Sequence, residues 1–358
     1  VRVLVTWADD ASPNLGVRAL GRGSVDLMKR SLPGAELTLI NYGNKPPEIP
    51  WGRVRSLLRE RVTGRFGMMR WLKDFDLVWD TRSGDSFADI YGLARHRTMS
   101  MLHEFAVQAG PRVVLAPQTI GPFRTREGRM LAKRNLQRST LVFARDSLSA
   151  RAAERLGRPV DATASDLVFG IDQPIPAAQH DVLLNVSGLL WSQNPHVDNM
   201  QYRATVRTII DNLLERGRAV TLLPHVLESS NHDNDVPVSR SLVQEYDGRV
   251  SLHVPEDLDD VRSVIASAHL VIGARMHACL NALSVGTPAV AMAYSRKFAP
   301  LLESIGWNAV VSLTETGAHA EEVLAHIDGP DLAQRAVLAR DAGQDLLDPI
   351  GQHLATCG

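Results

Sequence analysis

Residues 273–298 read GARMHACLNALSVGTPAVAMAYSRKF, and the fold of the chain turns on how this stretch is parsed. The apolar run His269-Leu270-Val271-Ile272 before it predicts a buried strand. Met276, Leu280 and Leu283 then recur at spacings of four and three, which predicts a helix over 276–284 with Gly286 as its stop and Pro288 just beyond. Residues 289–293, rich in Ala and Val, predict a second buried strand that runs out into Tyr294-Ser295-Arg296-Lys297. Two strand ends thus bring Arg275, His277 and Lys297 to one edge of a parallel sheet, where ligands gather in open α/β folds.

The same strand-then-helix rhythm extends in both directions. Toward the N-terminus, strands are predicted at 1–6, 36–42, 76–79, 112–116 and 141–144, with helices between them. Asn14 is a good N-cap for a first helix whose Val17, Leu20, Leu27 and Met28 share a face, and Ser147 is placed to cap a helix reaching Leu156. The pattern loosens between Asp161 and Gln179, where Pro174 and Pro176 fall close together, and a second series of strands follows at 182–186, 220–223, 250–254, 270–272, 289–293 and 309–312. The expected fold is α/β: two Rossmann-like, doubly wound parallel-sheet domains, 1–172 and 181–316, facing a cleft, with C-terminal helices over 317–358. A chain of 358 residues is long enough for both.

Composition narrows the function. A net charge of -1 gives no reason to expect nucleic-acid binding or a membrane-surface field. The only cysteines, Cys279 and Cys357, suggest neither a disulfide framework nor a cysteine metal site. No apolar run approaches the roughly 18 residues of a spanning helix, and residues 1–6 lack the features of a signal peptide. The expectation is a cytoplasmic protein without a membrane span, peripheral attachment to the inner membrane face remaining open. The six arginines from Arg53 to Arg70 are read as a solvated face.

Several strand ends carry residues suited to chemistry. Asn14-Leu15-Gly16 at the first helix could meet a phosphate with free backbone N–H groups, or be an ordinary capped helix. In the second series, Ser187, Gly188 and Trp191 fall in one loop, Pro224 and His225 in another, Arg275 and His277 in a third. Arg275 offers a planar fork for carboxylate or phosphate, and Lys297 a mobile point charge. A histidine titrates by default near pH 6.5, so His277 and, second to it, His225 are candidates for proton transfer. Asp85, in the polar turn from Asp80 to Asp89, is a candidate for binding sugar hydroxyls, although the turn could equally cap a helix through Ser86. Trp7, Trp79 and Trp191 could stack on a sugar ring or be core. His232-Asp233-Asn234-Asp235 matches no strong metal spacing and is read as a polar loop.

Taken together, Arg275-Met276-His277, Ala282, Gly286-Thr287-Pro288-Ala289-Val290, Tyr294 and Lys297 resemble the C-terminal signature of the polysaccharide pyruvyl transferase family. Asn14-Leu15-Gly16, Gln118-Thr119-Ile120-Gly121-Pro122, Ala144-Arg145-Asp146-Ser147, Asp166 and Leu223-Pro224-His225 match upstream in the right order. The resemblance implies a glycosyltransferase-B-like fold, an acceptor side in the first domain and a donor side in the second. It also implies transfer of pyruvyl from phosphoenolpyruvate to sugar hydroxyls of a glycan, or of a lipid-linked or nucleotide-linked precursor, as a ketal. On this reading no cofactor is required, phosphoenolpyruvate being a co-substrate, and the reaction does not demand a metal, whose involvement the sequence leaves open. This chain departs from many relatives at Thr81-Arg82-Ser83-Gly84-Asp85, where they carry a glycine triplet, at Val17, where they carry an acid, and at His269, where Asp is common.

A phosphate monoester carries about -1.5 to -2 charge, and the donor adds a carboxylate. The donor set this implies is Arg145, Arg275 and Lys297 with Asn14, Gly16 and Gln118. His277, Arg275 and His225 would be catalytic, and Asp85 and Trp191 would contact the acceptor. Two other readings stand beside it: a nucleotide-sugar glycosyltransferase, since fold does not fix function, and a non-catalytic sugar- or anion-binding protein.

Overall fold

The computed structural model describes residues 1–227 and 233–355. They divide into two compact units, one made of Val1–Asp10, Leu20–Ile171 and the chain from Asp345, the other of Ala11–Ala19 and Asp172–Gln344. The first unit contains strands β1 (Arg2–Thr6), β2 (Glu36–Ile40), β3 (Asn44–Lys45), β4 (Ile49–Pro50), β5 (Leu77–Asp80), β6 (Arg112–Gln118), β7 (Leu141–Ala144) and β8 (Ala162–Thr163). Six of them form a sheet in the order β2-β1-β5-β6-β7-β8, and β3 and β4 pair separately as an antiparallel ribbon. All pairings in the six-stranded sheet are parallel.

The second unit repeats the plan with β9 (His180–Asn185), β10 (Val220–Leu222), β11 (Ser251–Leu252), β12 (Ala268–Gly273), β13 (Ala289–Ala293) and β14 (Val310–Ser312). Their order is β11-β10-β9-β12-β13-β14, again with every pairing parallel. Helices cover strands on both faces in such folds, so central strands are apolar throughout rather than alternating. Val182 to Leu184 and Ala289 to Met292 are accordingly fully buried. Strand order changes direction at β1/β5 in one sheet and at β9/β12 in the other, and loops leaving the carboxyl ends of those strands are the ligand-binding positions of this class of sheet.

The helix expected over 276–284 is present as Met276–Ser284. Arg275 is its extended N-cap, and Gly286 takes a φ of 81° in the turn after it, a conformation costly for any residue with a Cβ. The first helix spans Leu15–Ser31. The helix after β7 begins at Ser147, but the cap is Asp146, whose carboxylate accepts from the Ser149 N–H at 2.7 Å, so the cap expected at Ser147 belongs one residue earlier. The basic segment forms the helices Val54–Thr63 and Met68–Lys73. The C-terminal stretch forms His319–Ile327, Leu332–Asp345 and Asp348–Ala355. Among the described residues no helix is long and apolar enough to cross a membrane.

Candidate functional site

The switch point of the second sheet is built around a residue the sequence did not single out. Asp235 is fully buried. Its carboxylate accepts from the backbone N–H groups of Gly188 (2.9 Å), His225 (3.1 Å) and Val226 (3.0 Å), and from the Asn185 amide (3.3 Å). The Arg275 guanidinium completes the set, Nη2 at 2.7 Å and Nε at 3.2 Å from Oδ1. Loops leaving β9, β10 and β12 are thus tied to one anion. A buried charge is tolerable only when so fully bonded. Gly188 has to be glycine here, because a Cβ would collide with the Asn234 carbonyl. Asn185 straddles the switch point itself: it sits at the end of β9, accepts from the Arg275 N–H (3.0 Å) and donates to the Leu223 carbonyl (3.0 Å).

Arg275 is therefore engaged on one side. Nη2 also lies 2.6 Å from Asp233 Oδ1, an ion contact, and bonds the Asp233 carbonyl at 3.2 Å. Burial alone would lower the guanidinium pKa, but Asp235 and Asp233 outweigh it and raise it, so the charge is permanent. The fork expected to grip a ligand head-on is instead held by protein carboxylates, which fixes its position.

Asn14 and Gly16 belong to the same cluster. Residues 13–15 run antiparallel to 225–227: Asn14 bridges Val226, Leu15 N–H donates to the His225 carbonyl (3.1 Å), and Leu227 N–H donates to the Pro13 carbonyl (2.8 Å). Asn14 caps the helix as expected, its Oδ1 accepting from Gly16 N–H at 2.9 Å. The Val17 and Arg18 N–H groups bond the Asn14 carbonyl. All four leading N–H groups are thus taken, and the helix start is a closed cap rather than an open cradle for phosphate. Gly16 is needed for contact: a Cβ there would lie 2.5 Å from Nδ1 of His277. His277, partly buried, is in this way seated against the first turn of the helix.

His225 lies beneath, fully buried. Burial, then His277, pushes its pKa down to about 3 against the opposing pull of Asp235. It is neutral at physiological pH and unsuited to deliver a proton. Lys297 precedes the helix Phe298–Ser304 and is partly buried. Trp191 is half-buried, packed edge-on to Tyr202 with Arg203 and Arg207 over its ring at 5.3 and 5.2 Å, so its faces are already covered by cations of its own unit. His232 lies outside the described residues, as does Cys357.

The remaining candidates sit in the first unit. Arg145 is buried in an ion pair with Asp166 (2.7 Å) and bonds Thr119 Oγ1 through Nε and Nη2. Gln118, at the end of β6, donates to the Asp80 carbonyl at 3.1 Å, while its buried Oε1 has no hydrogen-bond partner among the described residues. Asp85 accepts from Tyr91 Oη (3.1 Å) and Ser86 Oγ (3.4 Å). The helix that follows starts at Leu93 after Gly92, so Ser86 does not cap it. Arg82, Ser83 and Gly84 all have positive φ, 48°, 51° and 79°, in the loop that departs from a glycine triplet. Trp7 and Trp79 are core, Trp79 donating to Ser24 Oγ at 3.0 Å. No group of three or more potential metal ligands occurs among the described residues.

The family model described as polysaccharide pyruvyl transferase matches residues 14–296. A curated relative, the amylovoran biosynthesis protein AmsJ of Erwinia amylovora, is 26% identical over 260 residues, which is 66% of this chain and 60% of that protein, so the chain spans less than two thirds of its length. Among solved structures, UDP-GlcNAc 2-epimerase from Neisseria meningitidis bound to UDP-GlcNAc has a TM-score of 0.61 at 12% identity, covering 100% of this chain and 99% of that one. Anabaena Alr3699/HepE in complex with UDP and glucose has a TM-score of 0.58 at 14% identity, covering 99% and 98%. At these identities the likeness speaks for a glycosyltransferase-B-like fold alone.

Proposed function

Because the chain belongs to the polysaccharide pyruvyl transferase family, and is thereby a transferase, we propose that it moves the pyruvyl group of phosphoenolpyruvate onto sugar hydroxyls of a glycan or glycan precursor. The observation that carries this reading is the gathering of Arg275, His277, His225 and the start of the helix Leu15–Ser31 at the β9/β12 switch point. That edge combines a permanent cation and a partly buried histidine, a combination suited to a small dianion with a protonatable carbon.

In this reading His277 gives its proton to the enol methylene of the donor while a sugar hydroxyl adds to C2, and the proton that hydroxyl loses returns to the His277 imidazole. A second hydroxyl then forms the other C2–O bond as the C2–O bond to phosphate breaks. Its proton leaves with the phosphate, and the product is a pyruvate ketal. Arg275, held from behind by Asp235, presents its outer edge to the developing phosphate charge, with Lys297 as a second cation. Asp235 acts through Arg275 and is a positioning residue. Gln118, Arg145, Asp85 and Trp191 are secondary: Arg145 would have to exchange Asp166 or Thr119 for a ligand.

The test is incubation of the purified chain with phosphoenolpyruvate and candidate lipid-linked or nucleotide-linked sugars, reading phosphate release together with the acceptor's mass gain. His277→Ala should abolish both. Turnover of a UDP-sugar without phosphoenolpyruvate would replace the proposal with the glycosyltransferase reading, and unchanged turnover in His277→Ala would remove that residue from proton transfer.

A further inference from the structure

The hydrogen-bond pattern around His225 contains more than its burial. Asn281, fully buried one turn after His277, has Nδ2 2.9 Å from the His277 carbonyl and 3.1 Å from Nε2 of His225. Its Oδ1 accepts from Arg262 Nη1 at 3.1 Å. Arg262 is itself buried and can only donate; Nη1 also bonds Ser284 Oγ at 2.8 Å. Turning the amide over would set its N–H groups against a guanidinium and its oxygen against a carbonyl. Two independent neighbours therefore fix the amide one way round.

The consequence passes to the imidazole. An N–H aimed at Nε2 requires a lone pair there, so the single ring proton must reside on Nδ1. Nδ1 is buried and has no hydrogen-bond partner among the described residues. An unmatched buried donor is costly, and native folds rarely leave one without a use. The titratable and charged groups facing the ring are His277, Asp235 and Arg275. Asp235 is already saturated by its five other donors, so the Nδ1 proton is directed to something that the described residues do not supply. A metal is unsuitable, since the nitrogen that would ligate it carries the proton.

We infer that His225 serves the ligand as a neutral hydrogen-bond donor through Nδ1–H to an anionic oxygen, carboxylate or phosphoryl, and that Asn281 and Arg262 are positioning residues that hold it in that tautomer. The inference rests on the phosphoenolpyruvate reading only for the name of the anion. It gives the two histidines different duties: His277 exchanges protons, and His225 holds a charge in place without exchanging any.

Nitrogen-15 NMR of the full chain, with ring signals of His225 assigned through its own backbone, tests this without turnover. The expected wild-type spectrum shows neutral, Nδ1-protonated His225 throughout about pH 5 to 8. Saturating phosphoenolpyruvate should move the Nδ1–H proton downfield. Asn281→Asp, which offers Nε2 an acceptor in place of a donor, should transfer the proton to Nε2 and make the ring titrate within that range. Asn281→Leu should raise the KM for phosphoenolpyruvate by about tenfold or more with a smaller change in kcat. Proton on Nε2, or a charged ring at pH 7 in the wild type, overturns the inference, as does an anion that saturates other signals but leaves His225 unmoved. Inorganic phosphate or UDP shifting His225 where phosphoenolpyruvate does not would keep the donor role and defeat the proposed donor substrate instead. The wild-type spectrum decides the tautomer even if a variant fails to fold.

Discussion

At the switch point of the first sheet Asp80 binds Arg82 and His103; at that of the second, Asp235 binds Arg275 and the backbone of His225. The ingredients match, and the bonding does not. Arg82 uses every nitrogen inside the protein, on Asp80 (2.9 Å), Ser100 (3.4 Å) and Asn135 (2.9 Å), and stacks on Phe87 at 4.4 Å. His103 meets Asp80 through Nδ1 and Ser139 through Nε2. Burial pushes the Asp80 carboxyl up, yet Arg82 and His103 outweigh it and hold it below the usual range. That trio is closed on itself. In the second, His225 Nδ1 has no hydrogen-bond partner among the described residues, and the partly buried His277 lies beside it. A complete buried network stiffens a fold, whereas one with an open valence is prepared for a visitor.

The most severe way to break the comparison is to delete each aspartate. Asp80→Ala and Asp235→Ala should each strand a buried arginine and lower stability by about 3–5 kcal/mol in urea unfolding. The folded fraction of Asp80→Ala should keep kcat/KM within about threefold, while Asp235→Ala should lose about a hundredfold by misplacing Arg275. Equal losses would erase the distinction. Acid should come next. His225, at about 3, and His96, pushed down to about 4 by burial and then Arg82, are neutral in the folded chain. Their folded pKa values lie below the unfolded value, so their contribution is present above about pH 6.5 and lost as pH falls toward about 4 for His96 and about 3 for His225, on the order of 3 kcal/mol or more each. His96→Gln should flatten its share of that slope in unfolding free energies measured against pH.

Gly16→Ala addresses the second cluster alone. Its Cβ displaces His277, so turnover should fall about tenfold while the urea midpoint moves little. The smallest effect is expected at Ser83→Gly. Relief of a left-handed residue is offset by loss of the Ser83 Oγ bond to the Trp7 carbonyl (3.0 Å), leaving a change within about 1 kcal/mol. A larger stabilisation would mean that strain in this loop outweighs its bonding.

Much of this was legible in residues 273–298, because parallel strands and the helix between them write their burial as composition and spacing. Arg275 and His277 can be placed at one edge of the sheet for that reason. Asp235 was not, since a carboxylate buried in a loop leaves no periodic trace, and Asp233-Asn234-Asp235 looked like the polar turn that composition favours. The role of Asn281 was hidden differently: it sits in a helix interior, and only the packing reveals that its amide faces a histidine from a loop more than fifty residues earlier. Of the two readings at Asn14 the capped helix is the one present, because free N–H groups depend on what bonds them, and the His225 carbonyl comes from distant sequence. Ser147 lost the cap to Asp146 because a carboxylate there reaches both the N–H and the hydroxyl of Ser149.

The bridge between Asn14 and Val226 also bears on how the protein is made. A ribosome finishes the Asn14 segment early, then adds roughly two hundred residues before its partner emerges, a wait of about 10–40 s at ordinary synthesis rates. Throughout that interval the residues around Gly16 lack the neighbours that define their place, although the strands following them can pair. The second unit is therefore closed by a strap that is laid down first and can be fastened only late.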